Sequence, residues 1–250
     1  MKQKRVIINA DDCGMSQYVN EQIEQMIVAG KITSTTVMAN MDDFEGAVAL
    51  YKQYSGRISF GWHINLTEGK PLLKSQLLLD KGYYIEEEGV AVFNGRAFWK
   101  KSLSNDMKNE IRKELTTQCN KLRDCGIEIS HADSHQHIHT SPSLFWVMPN
   151  LLQDLGISKC RRIKNTVSPA YNRWVRNAWA LPYKMKGIKL TNTFCTFGQY
   201  FPKRTLSVGN TVEFMCHPGH PGEWYVKEYE LLNTTDMHQI GFQLITYNEL

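Results

Sequence analysis

Short β-branched runs alternate with helix-period segments along most of this 250-residue chain, and several of the runs end on an acid or a histidine. The first, 5-RVIIN-9, reads as a buried strand that delivers Ala10-Asp11-Asp12 at its end. Ser16 then fits an N-cap, with Val19, Ile23, Met26 and Ile27 at helical spacing up to Gly30. A second strand at 35-TTVMA-39, a helix at 44–54 and a third strand at 58-ISFGWHINLT-67 repeat the pattern. After an irregular stretch come a helix at 106–125, a strand at 127-IEISHAD-133, a helix at 141–155, a strand near 160 and a helix at 171–181. Strands at 190–194 and 211-TVEFMCH-217 follow, and residues 235–250 suit a short helix and a last strand. Such alternation predicts βαβ units in an α/β fold, as a parallel sheet or a barrel. Residues 70–105, with a hairpin at 83–95, read as an insertion after the third strand, and residues 1–250 as one domain.

Asp11/Asp12, His63, Asp133/His135 and His217 each fall at the C-terminal end of a predicted strand, the edge where open sheets and barrels assemble their sites. The segment 131-HADSHQHIH-139 holds four histidines in nine residues. If extended, it would turn His135, His137 and His139 to one side. Imidazoles with a carboxylate make an open metal site, so a soluble metal-dependent hydrolase is the function this edge suggests. Asp11-Asp12 offers a cation ligand and a general base, although adjacent acids also cap helices; Asp42-Asp43, before an apolar helix, reads as such a cap. His63, between Trp62 and Ile64, suits a core histidine as well as a ligand. In 214-FMCHPGHPG-222, His217 is a candidate general acid and His220 a loop residue. The nucleophile elbow, phosphate-binding loop and dinucleotide fingerprint are missing.

Five segments, 9-NADDCG-14, 33-TSTT-36, 61-GWHINLT-67, 131-HADSHQHIH-139 and 215-MCHPG-219, run in the order found in the YdjC-like carbohydrate deacetylases, which the chain resembles over nearly its whole length. The resemblance implies a distorted (β/α) barrel of TIM-barrel type that removes acetyl groups from N-acetylated sugars with one divalent cation. By position, Asp12, His63 and His135 would be the metal ligands, Asp11 the base and His217 the acid. Asp133, His137 and His139 would then be second-layer or substrate contacts. Zinc or magnesium suits such a donor set, with manganese or cobalt as alternatives. The family usually has Phe where this chain has Cys13, and 155–212 does not align, so substrate specificity does not carry over.

That unaligned stretch has its own signature. From Leu155 to Val212 the chain has no Asp or Glu, while Lys159, Arg161, Arg162, Lys164, Arg173, Arg176, Lys184, Lys186, Lys189, Lys203 and Arg204 all fall there. One-signed charge favours an anionic partner, here a sugar on a phosphate or lipid-linked carrier. The segment 171–187 also puts Tyr171, Trp174, Val175 and Ala178 on one helical face with basic flanks. It suits either a buried barrel helix or a peripheral contact with an anionic membrane. No nucleic-acid module is recognisable. A secretory h-region and an apolar run of about 18 residues are both missing, so a cytoplasmic location, peripheral to the inner face of the membrane, is expected. The six cysteines show no paired motif and read as free thiols, mostly packing groups, with Cys13 the exception because it sits next to the acidic pair. The oligomeric state is open, a homodimer included. Rival readings are another metal-dependent barrel hydrolase, a phosphoesterase or amidohydrolase, and a non-catalytic sugar- or lipid-binding barrel.

Overall fold

A computed structural model describes residues 4–163, 176–200, 210–237 and 239–250. Strand β1 (Lys4–Cys13) is buried from Val6 to Cys13 and forms the centre of a sheet. Around it lie β2 (Ser34–Val37), β3 (Ser59–Ile64), β6 (Ala132–Ser134), β7 (Thr193–Thr196), β8 (Thr211–Cys216) and β9 (Phe242–Leu244). The order is β6-β3-β2-β1-β8-β7, and β9 pairs with the start of β1. Every pairing in this sheet is parallel, which requires crossovers and suits strands apolar on both faces. Beyond β6, single parallel bridges join Ala132 to Cys160 and Lys159 to Lys189, so the sheet curls into a half-barrel.

Local chemistry explains the elements. Helix α1 (Gln17–Val28) starts where the Ser16 hydroxyl accepts the Val19 N–H, and it buries Val19, Ile23, Met26 and Ile27 against the sheet. Gly30, at φ +67°, takes the left-handed turn that ends it. Helix α2 (Phe44–Tyr54) begins after Asp43 as expected, but the Asp43 carboxylate accepts from Asn20 Nδ2 at 2.8 Å instead of capping the helix. The same Asn20 accepts the Gly14 N–H, which ties the loop after β1 to α2. In β3, Gly61 is required by space: a Cβ there would lie 2.4 Å from the His131 ring, which stacks on Tyr247.

Between β3 and β6 come helix α3 (Gln76–Asp80), an antiparallel hairpin β4 (Tyr84–Glu87) and β5 (Val90–Phe93) off the main sheet, α4 (Gly95–Lys100) and α5 (Asn105–Asp124). The strand expected over 127–133 shortens to its last residues, and the helix expected over 141–155 divides into a 3-10 turn at Pro142–Leu144 and α6 (Val147–Asp154). Pro149 lacks the N–H that one continuous helix would need in its interior. A helix at Glu223–Thr234, where none was expected, carries the buried Glu228. The chain ends in reverse of the expected order: β9 comes first, then a 3-10 turn at Tyr247–Glu249. The expected amphipathic helix lies in part outside the described residues, which exclude Tyr171, Trp174 and Val175. No helix among the described residues is long and apolar enough to cross a membrane.

Candidate active site

Two consecutive acids on a regular strand would face opposite sides of the sheet. Here a bulge intervenes: Ala10 pairs with Thr35 and Cys13 with Val37, so β1 has one residue more than β2 over this span. Asp12 sits at φ +68° with its carbonyl accepting the Met15 N–H, and both carboxylates reach the cleft at the C-terminal edge. Asp is among the L-residues that tolerate this left-handed conformation, and so permits the bulge. Cys13 is fully buried behind the pair, and burial pushes its thiol up to about 12, which makes it a packing group.

Asp12 Oδ1 lies 3.0 Å from His63 Nε2 and 2.7 Å from His135 Nδ1. The far nitrogen of each ring also meets a carboxylate: His63 Nδ1 is 2.6 Å from Asp133 Oδ1, and His135 Nε2 is 2.7 Å from Glu68 Oε2. Burial works against a charge on His63, but Asp133 and Asp12 outweigh it and raise its pKa to about 10. His135 is raised to about 9, again against burial, by Asp12 and Glu68. Burial would push Asp12 up, yet its bonds to His135, His220 and His63 hold it well below the usual carboxylate range.

Donor atoms of Asp12, His63 and His135 all fall within 4.8 Å of one another, as do those of Asp11, His63 and Asp133. Chemistry separates the two sets. The first has two imidazoles, each with a carboxylate behind the nitrogen that faces away from Asp12, the arrangement that orients metal-binding histidines. The second already holds a permanent cation: Arg161 Nη1 is 2.6 Å from Asp11 Oδ2 and 2.8 Å from Asp133 Oδ2. Of these two sets among the described residues, Asp12, His63 and His135 are the better match to a divalent ion.

Arg161 is 1% exposed, and its side chain organises the floor of the site. It grips Asp11 with two parallel bonds of 2.6 and 2.7 Å, and its Nε donates to Glu213 Oε1 at 2.6 Å. Glu213 in turn accepts the Tyr247 hydroxyl at 2.6 Å. Burial would raise Asp11, but the Arg161 guanidinium outweighs it and keeps the carboxylate ionised. Asn9 Nδ2 donates to Asp11 Oδ1 at 2.9 Å and to Thr36 Oγ1 at 3.1 Å. Thr36 donates in turn to Asp133 Oδ2.

His217 follows β8 and faces Asp11, with Nε2 3.9 Å from Asp11 Oδ2 and Nδ1 3.9 Å from Glu228 Oε2. Burial lowers its pKa, but Glu228, then Asp11 and Asp12, bring it above the ordinary histidine value. His220 is a loop residue as expected, and from that loop its Nε2 comes 2.9 Å from Asp12 Oδ2. Together these groups line a cleft of about 590 Å³, walled by Trp224 and Tyr225.

The structure thus brings Asp11, Asp12, His63, His135, His137 and His217 to one cleft. Asp133 and His139 are not at its surface. Asp133 is fully buried behind His63 and Arg161, and His139 is turned into the core against Ser134. The expected extended run is a 3-10 turn with Gln136 and His137 at φ 49° and 56°, so the three alternate histidines diverge. Two such residues in succession cost roughly 1–2 kcal/mol each. Glu68, Arg161, Glu213, Glu228 and Tyr247 escaped the sequence reading. The signal available for Arg161 was its place after the strand near 160; for His220 it was the tandem His-Pro-Gly.

The basic stretch is not one surface. Arg161 points inward to three carboxylates, while Lys159 and Lys189 hold backbone carbonyls at the C-terminal end of the chain. Lys164, Arg173, Lys203 and Arg204 lie outside the described residues.

Residues 5–243 match the family model described as YdjC-like protein. A "Carbohydrate deacetylase" of Listeria monocytogenes serotype 4a is 36% identical, over 98% of this chain and 100% of that protein. A "Chitooligosaccharide deacetylase" of Yersinia enterocolitica is 28% identical, over 99% of each. Among solved structures, a proposed cellobiose-phosphate cleavage protein of Enterococcus faecalis superimposes with a TM-score of 0.80, at 20% identity over 99% of each chain, a likeness of fold. The five sequence segments and the family match agree over nearly the whole length, and the chain belongs to the YdjC-like family.

Proposed function

We propose that the protein is a carbohydrate deacetylase that hydrolyses the acetamide of an N-acetylated sugar, with one divalent cation on Asp12, His63 and His135. The observation that carries this reading is the pairing of that donor set with an ionised carboxylate, Asp11, that Arg161 keeps apart from it. The names of the relatives support the substrate class. A divalent ion held there supplies Lewis-acid polarisation of the acetamide carbonyl and makes a neighbouring water more acidic. Asp11 then takes a proton from the attacking water. His217 gives a proton to the amine nitrogen as the C–N bond breaks, releasing acetate and the free amino sugar. Its pKa is raised above the ordinary histidine value, the direction that favours a protonated ring, and Glu228 Oε2 lies 3.9 Å from its Nδ1.

His137 and the aromatic wall of Trp224 and Tyr225 would hold the sugar, whereas Asp133 and His139 act from behind the cleft wall. We read the curled sheet as a distorted (β/α) barrel, with the hairpin region as its insertion. An anionic or lipid-linked carrier would meet the basic region, and salt-sensitive flotation on anionic vesicles tests any membrane contact. The direct test is acetate release from a panel of N-acetylated sugars, before and after chelation and after adding back Zn²⁺, Mg²⁺, Mn²⁺ or Co²⁺. Metal-dependent acetate release is expected. Phosphate release instead, or acetate release that survives chelation, would overturn it.

A further inference from the structure

Asp12 has two carboxylate oxygens, and different partners meet them. Oδ1 lies 3.0 Å from His63 Nε2 and 2.7 Å from His135 Nδ1. Oδ2 meets a third ring, His220, whose Nε2 is 2.9 Å away. Among the described residues, His220 belongs to neither of the donor sets that could hold an ion. It comes to Asp12 at the oxygen that faces away from the other two rings' contacts.

The loop after β8 delivers this ring. It carries two His-Pro-Gly triplets, 217-HPGHPG-222, between the strand and the helix at Glu223–Thr234. Pro218 and Pro221 each fix a φ angle in it. The first triplet aims His217 at Asp11, and the second aims His220 at Asp12. The two distances separate their roles. His217 Nε2, 3.9 Å from Asp11, is too far for a hydrogen bond, whereas His220 Nε2, at 2.9 Å, is within reach of one. His220 Nε2 is buried, and no other acceptor among the described residues satisfies it. A carboxylate only accepts, so Nε2 carries the proton. The ring packs on His217 and Tyr225, with centroids 5.6 and 5.4 Å away. Asp12 needs such a hold: it sits at φ +68° on the bulge, where regular strand pairing does not fix the direction of its side chain.

We infer that His220 is a positioning residue for Asp12. Its N–H holds Oδ2, which keeps Oδ1 turned to His63 and His135 and offers a cation one oxygen of this carboxylate. The same loop carries His217, so a single segment sets the ligand and the proton donor of the proposed function over the acidic pair. The inference rests on the cation site of that proposal, so cation binding by the unaltered protein is measured first.

The test is titration of the metal-depleted full chain with Co²⁺ against a competing chelator, with the visible spectrum recorded at each step. His220→Phe keeps a ring and loses the donor, and His220→Asn has an amide too short to reach Oδ2. Each should weaken Co²⁺ binding about 10- to 100-fold, the scale of a lost outer hydrogen bond at a metal site. The visible band should change in both as well, because the freed oxygen alters the coordination of the ion. His220→Gln, whose amide nitrogen can stand where Nε2 stood, should recover most of the affinity and the original band. Melting curves check that the variants fold. Unchanged Co²⁺ affinity in His220→Phe and His220→Asn would overturn the inference, and a raised KM for an N-acetylated sugar alongside it would make His220 a substrate contact. A His220→Gln variant as weak as His220→Phe would overturn it too, since ring packing would then be what matters. No Co²⁺ on the unaltered protein would sink the cation site and this inference with it; Co²⁺ bound alike by all four proteins would sink the inference alone.

Discussion

Asp11 and Asp12 share a strand end and the same deep burial, yet one meets a guanidinium and the other meets imidazoles. The difference decides what each side of the cleft can do. A guanidinium does not give up its proton, so the Asp11 side is locked as an ion pair that fixes an ionised carboxylate without becoming a metal site. Imidazoles do give theirs up, so the Asp12 side can exchange protons for a cation. In the proposed function, two adjacent, identical side chains thereby separate into base and ligand through their partners alone.

Removing a ligand breaks the Asp12 side outright. Asp12→Ala or His63→Ala should leave no bound metal after gel filtration, by elemental analysis, and no acetate release. Next in size is pH. His63 and His135, raised to about 10 and about 9, both hold protons in the metal-free protein at neutral pH. Each loses its proton only as pH rises through its raised value, so binding a cation below that range expels up to two protons. Metal affinity should fall by as much as about a hundredfold for each unit of acidification. A pH-independent affinity between 6 and 8 would mean that these rings are not ligands.

On the Asp11 side, Arg161→Met would leave Asp11, Asp133 and Glu213 buried without their cation. A loss of roughly 3–5 kcal/mol is expected by urea unfolding, because the uncompensated charges remain. A loss under about 1 kcal/mol, the scale of an exposed pair, would show that water reaches the network. The smallest effect should come from the outer layer. Asp133→Asn keeps the shape but weakens the hold on His63, and metal affinity should drop about 10- to 100-fold by competition with a chelator.

The Asp12 side was largely legible in the sequence and the Asp11 side was not. Asp12, His63 and His135 come from recognisable segments at strand ends, and the parallel sheet that gathers them follows from the alternation of strand and helix. Arg161 stood in an acid-free stretch whose charge pointed outward to an anionic partner. Nothing local says that this one arginine turns into the core to meet acids from β1, β6 and β8. Glu228 lies on a helix with no strand-end signal, and its closeness to His217 is purely tertiary. The histidine segment misled because strict alternation assumes an extended chain, and the left-handed Gln136 and His137 break it. His139 was lost to the core for that reason.

The division of labour within the acidic pair is tested most directly by Asp11→Asn, with metal content and acetate release measured on one preparation. One equivalent of metal should remain while acetate release falls by roughly 10²- to 10⁴-fold, the scale of a lost general base. Near-normal turnover, or loss of the metal together with the activity, would contradict the separate roles of Asp11 and Asp12.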